Sequence, residues 1–191
     1  MRLFPHVTRC ALALALTAIA AIPAGATTLI RQGLDKLTAE NQSVVHGKVL
    51  DIHGYWNADH SMILTDIRVV PSAVLKGDPA AREVTFTMLG GTVGEVTTLI
   101  IGGPEFVPGA EYVLFLNREQ LRDDLEVLTV RDLSQGAFEI ADLGGGRRVY
   151  SQALGHPLLP DRQGLSEPPG GLEGMTLDEI FTQVRKFAGD R

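Results

Sequence analysis

Alternation of apolar and polar positions dominates the middle of the chain. Residues 43–52 set Val45, Gly47 and Val49 against His46 and Lys48. Residues 62–70 set Ile63, Thr65, Ile67 and Val69 against Asp66 and Arg68. A period of two over such lengths predicts half-buried strands. Pro71 is expected to end the second strand, because proline cannot donate to a ladder. The stretch 53–60 between them predicts the loop of an antiparallel hairpin. Residues 83–88 alternate again, with Val84, Phe86 and Met88 inward, until Gly90-Gly91 breaks the pattern. Residues 96–101 read as a further strand, stopped by Gly102-Gly103-Pro104. Residues 112–116 are continuously apolar, which predicts a central strand covered on both faces. Shorter strands are expected at Leu125–Val130, 137–140 and 148–150.

The pattern turns helical at both ends. Residues 29–41 carry Ile30, Leu34 and Leu37 at helical spacing, with Asn41 as the stop. Near the other terminus, Thr176 and Glu179 form a capping box, and Met175 faces Ile180 as a hydrophobic staple. Leu177, Ile180, Phe181 and Val184 then share one face, which predicts a helix docked on the rest of the chain. Between the last strand and this helix, residues 151–174 are rich in Pro, Gly and polar residues and read as an irregular linker. The resulting expectation is a mainly β chain: a five-stranded OB-like Greek-key barrel with additional short strands and a helix near each end. A β-sandwich is the competing architecture.

Residues 1–26 have the pattern of a signal peptide. Arg2, His6 and Arg9 precede the apolar run 11–21; Pro23 closes it, and Ala24-Gly25-Ala26 offers a cleavage site before Thr27. The run is short for a permanent anchor, so no stable membrane anchor is expected after cleavage. The domain expectation is therefore a leader over 1–26, a barrel over 27–150, the linker over 151–174 and the amphipathic helix over 175–191. Secretion, or export to the periplasm, follows from the leader. The whole chain carries a net charge of −6. Removing the two leader arginines leaves 15 basic residues against 23 acids, a net −8. Such an acidic chain is poorly suited to sequence-independent nucleic-acid binding. The only cysteine, Cys10, lies in the leader, so the mature chain is expected to be free of disulfides and thiolate sites.

Val44-Val45-His46-Gly47-Lys48-Val49, then Leu64-Thr65-Asp66-Ile67-Arg68-Val69, then Val74-Leu75-Lys76-Gly77 resemble a pattern of uncharacterised secreted bacterial proteins. Gly90-Gly91, Pro104-Glu105-Phe106 and the run Gly109 through Leu116 fit the same pattern, which covers about residues 43–117. The strand order and the Lys-Gly turn are similar to tissue inhibitors of metalloproteinases and netrin-like modules, which implies a five-stranded barrel. Those inhibitors place an N-terminal cysteine on the protease zinc. Here the expected start is Thr27-Thr28 without cysteine, so that mechanism does not carry over.

Candidate chemistry concentrates in the first hairpin. Tyr55 and Trp56 in stretch 53–60 are candidate binding anchors, since aromatics at a loop tip bury large areas on contact. His53 and His60 flank that stretch, with Asp59 adjacent, and offer a candidate zinc or copper site; its alternative is a set of solvent-exposed histidines that includes His46. Lys76 reads as a solvated turn residue. There is no G-x-S-x-G elbow, no H-E-x-x-H helix and no phosphate loop, and no cofactor motif. The expected function is a secreted, non-catalytic binding module that meets an extracellular or periplasmic protein partner through 53–60. A His-based metal-binding protein and an enzyme of unrecognised type are the alternatives.

Overall fold

A computed structural model describes residues 30–123, 125–142, 146–154 and 174–189. The expected leader with Cys10, and most of the expected linker, lie outside them. The chain runs α1 (Leu34–Glu40), β1 (Ser43–Trp56), β2 (Ile63–Lys76), β3 (Val84–Leu89), β4 (Gly91–Val93), β5 (Val96–Thr98), β6 (Glu111–Arg122), β7 (Leu125–Val130), a 3-10 turn (Leu133–Gly136), β8 (Ala137–Asp142), β9 (Arg147–Ser151) and α2 (Leu177–Gly189). Seven strands form one antiparallel sheet in the order β3-β2-β1-β6-β8-β9, with β7 also on β6; β4 and β5 make a separate hairpin. The mainly β class and the helix near each end are as the pattern predicts.

The central strand is β6. Leu116 pairs with Ser43 of β1 and with Val130 of β7, while Leu114 pairs with Val45 of β1 and Ala137 of β8. β7 and β8 therefore follow one another along the same edge of β6. Residues 131–136 loop out opposite Phe115, with Asp132 (φ 56°) and Leu133 (φ 58°) in the left-handed region. β3 lies beside β7, where the Thr129 hydroxyl donates to Met88 Sδ at 3.6 Å. No ladder joins these two strands among the described residues, so the sheet is not closed by hydrogen bonds.

The apolar run of β6 is buried on both faces, for two different reasons. Val113 and Phe115 face a core completed by α1 and α2, including Leu37, Ile180 and Val184. Tyr112, Leu114 and Leu116 face a second core with Val49, Ile67 and Phe86. The C-terminal helix docks as its stripe predicts. Its capping box forms in both directions: Glu179 N–H donates to Thr176 Oγ1 at 3.2 Å, and Thr176 N–H to Glu179 Oε2 at 2.8 Å. Those bonds hold the Glu179 carboxyl below its usual range.

Several local expectations are corrected. Residues 29–41 are not one helix: α1 starts after Gly33, and Ile30 stays 44% exposed outside it. Asn41 does end the helix, its side-chain amide donating to Leu37 O at 2.8 Å. Pro71 does not end β2; it pairs opposite Gly47, at a register shift and beyond the last β3 partner, where a missing donor costs little. Lys76 is not simply solvated. Its ammonium donates at 2.5 Å to Thr38 O and to Asn41 O, closing the C-terminus of α1. A cation there satisfies orphan carbonyls and complements the helix dipole. The strand expected over 96–101 is only Val96–Thr98, and the apolar residues after it lie in no strand, with Ile100 O accepting from Gly103 N–H in a turn.

Candidate functional site

The first hairpin is tighter than its sequence suggests. β1 continues through Trp56, so His53, Tyr55 and Trp56 are strand residues opposite Asp66, Leu64 and Ile63. The connection shrinks to residues 57–62. Asn57 organises it, its Oδ1 accepting from Ser61 N–H at 2.9 Å and from Met62 N–H at 3.0 Å. His60 takes a left-handed φ of 55° and stacks on Trp56 at 6.1 Å.

These contacts assign each candidate residue a local partner. The Tyr55 hydroxyl donates to Asp66 Oδ1 at 3.1 Å, and Thr87 donates to the same oxygen at 2.7 Å. Asp66 thus laces β1, β2 and β3 together, and burial followed by the Asp66 charge raises the Tyr55 pKa. His53 stacks on Tyr55 at 6.0 Å. Asp59 accepts from Ser61 Oγ at 2.6 Å and from Arg122 Nη1 at 2.8 Å, which holds its carboxyl well below the usual range. His53 and His60 are engaged by different aromatic rings, and no group of three His, Cys, Asp or Glu side chains converges among the described residues. His46 is not a solvent-exposed histidine: it is 8% exposed, 3.1 Å from Glu111 Oε2 and 5.6 Å from the Phe181 ring of α2.

Among the described residues, the most exposed apolar side chains lie elsewhere, over residues 88–107. A cleft of about 940 Å³ opens between the β4–β5 hairpin, the segment 99–107 and the end of the second core. Its floor is Ile52, Ile67, Met88, Phe106 and Tyr112. Phe106 plugs that end of the core, edge-on to Phe86 at 5.2 Å and to Tyr112 at 5.1 Å. The Tyr112 hydroxyl accepts the Val107 amide hydrogen at 3.0 Å, and burial raises its pKa. Gln152 clamps the wall: its carbonyl accepts from Glu105 N–H at 2.9 Å and its amide donates to Glu105 O at 2.7 Å.

Two glycines let the hairpin lie over the sheet. A Cβ at Gly54 of β1 would stand 2.5 Å from Thr92 O, and one at Gly91, where φ is +124°, would stand 2.0 Å from Thr65 Oγ1. The rim above is apolar and wet. Leu99 is 79% exposed, Ile101 88% and Val107 57%, with Leu89 and Val96 beside them in sequence. Clustered exposure of this kind marks interaction surfaces, whereas scattered exposed apolar residues do not. Among the described residues, the lining contains no His, Ser, Cys, Lys or Arg. The described lining supplies apolar contact, hydroxyls, the Gln152 amide and two carboxylates.

Sequence reasoning missed this site by treating 96–101 as one paired strand. The usable signal was Leu99-Ile100-Ile101 followed directly by Gly102-Gly103-Pro104, an apolar run with little room to pair. Among the described residues, no helix is long and apolar enough to cross a membrane. No protein-family model matches the chain, no curated protein matches it, and no solved structure matches it.

Proposed function

We propose that this chain is a secreted, non-catalytic binding module that grips a protein partner with the apolar rim of the 88–107 cleft. The observation carrying this reading is the joint exposure of Leu99, Ile101 and Val107 around an open apolar cavity. Burying such side chains is worth roughly 1.5–3 kcal/mol each, enough for a few of them to anchor a contact. The expected contact through 53–60 moves accordingly. Tyr55 is engaged with Asp66 and Trp56 with His60, so this strand end flanks the contact and does not lead it. We read the sheet as an OB-like barrel akin to netrin-like modules. The neighbour order β1-β2-β3 on one side and β1-β6-β7 on the other, with β3 beside β7, supports that reading.

Affinity capture from the producing cell's exported fraction tests the function. The wild-type chain and Trp56→Ala should retain the same protein, and the double variant Leu99→Ser/Ile101→Ser should lose it. Retention by the double variant, or loss only with Trp56→Ala, would return the contact to the first hairpin.

A further inference from the structure

We infer that the cleft selects a peptide segment in which apolar side chains flank a lysine or arginine. The inference rests on the binding reading above and adds the charge of the ligand. Among the described residues, the only charged side chains lining the cleft are Glu105 and Glu139. Neither has an ion-pair partner among the described residues. Several acids on or beside the sheet do have cations: Asp51 and Glu83 meet Arg68, Glu126 meets Arg118, and Glu111 meets Arg147, while Asp66 is held by the Tyr55 and Thr87 hydroxyls. Among the described residues, the cleft thus keeps two negative charges without a cation beside them.

Both acids line the cleft on residues next to Tyr112 or its ring neighbour. Glu139 pairs directly opposite Tyr112 on β8, and Glu105 precedes the Phe106 plug that touches the Tyr112 ring. Each carboxylate adds to the upward push on the Tyr112 phenol, after burial itself. Charges beside apolar walls attract an incoming cation more strongly than charges in open water, and they repel an anion equally. A chain segment suits the site better than a small metabolite. Leu99 and Ile101 remain 79% and 88% exposed while lining the cleft, so a ligand confined to the floor leaves them wet. A segment lying across the rim covers them and brings its cation over the two acids.

Three end-capped peptides test this against the full chain: Leu-Val-Lys-Leu-Val and its versions with Gln or Glu in place of Lys. Affinities are read by fluorescence anisotropy at low ionic strength. The expected order is Lys, then Gln, then Glu, with about tenfold between the first and last. Glu105→Gln/Glu139→Gln should compress that range to within about twofold while leaving the Gln peptide unchanged. Urea unfolding confirms that this variant is folded, and Glu105→Gln alone supplies a milder step if it is not. Equal binding of all three peptides would overturn the charge selection and leave the binding reading standing. A lysine preference that survives the double variant would overturn it too. No binding by any of the three would overturn both.

Discussion

The two faces of β6 belong to one strand and end differently. On the face of Val113 and Phe115, two helices cover the sheet and the core is sealed. On the face of Tyr112, Leu114 and Leu116, the core runs toward β4–β5 and stops at an open cleft. The polar atoms differ as well. Around the sealed face, Lys76 closes α1, and Glu111 binds both His46 and Arg147. Around the open end, Glu105 and Glu139 stay without ion-pair partners among the described residues, and Leu99 and Ile101 stay wet. Charged groups are paired around the helix-covered face, while the open end keeps its two carboxylates without a cation among the described residues.

The largest break in this comparison is Phe115→Ala. Phe115 is fully buried beside Phe138, and truncation should cost roughly 3–5 kcal/mol in urea unfolding. Gly54→Ala comes next. The added Cβ meets the Thr92 carbonyl, a backbone atom that cannot swing aside, and overpacking of that kind costs about 1–3 kcal/mol. Its signature is local: amides of β4 and β5 should exchange faster while those of β6 do not. Lys76→Met keeps the apolar stem and removes the carbonyl bonds at α1, so it should cost about 1–2 kcal/mol.

Glu111 sharpens the comparison through pH. Burial opposes its ionisation, but Arg147 and His46 outweigh burial and hold its pKa below the usual range. A carboxylate depressed on folding stabilises above its unfolded pKa of about 4.3, and that contribution fades as pH falls through the folded value. Glu111→Gln should therefore lower stability at pH 7 by about 1 kcal/mol and flatten the acid limb of the stability profile. An acid limb identical to the wild type would remove Glu111 from the account.

The sequence made some of this legible, and the reasons are physical. β2 declares itself because Ile63, Ile67 and Val69 share a buried face opposite Asp66 and the exposed Arg68, although Leu64 on that second face is buried too. The run 112–116 reads as doubly covered, and it is. Thr176 and Glu179 specify a helix start through local bonds that need no tertiary context. β1 is harder, because α2 covers His46 from a distant part of the chain and local polarity then points the wrong way. Tyr55 and Trp56 look like loop anchors until β2 is seen to continue opposite them. The cleft was hidden for a related reason. Leu99, Ile100 and Ile101 have strand-forming side chains but lie in no strand among the described residues, and only the Gly102-Gly103-Pro104 stop after them hints at it locally, because pairing depends on neighbours.

The smallest expected change in stability belongs to the residues with the largest expected role in binding. For Leu99→Ser/Ile101→Ser, unfolding free energy and affinity for the Leu-Val-Lys-Leu-Val peptide should be measured on the same preparation. Both side chains are already mostly in water, so stability should stay within about 0.5 kcal/mol of wild type while affinity falls at least about tenfold. A variant that binds as well as wild type, or that unfolds as easily as Phe115→Ala, would contradict the division between a sealed face and a binding end.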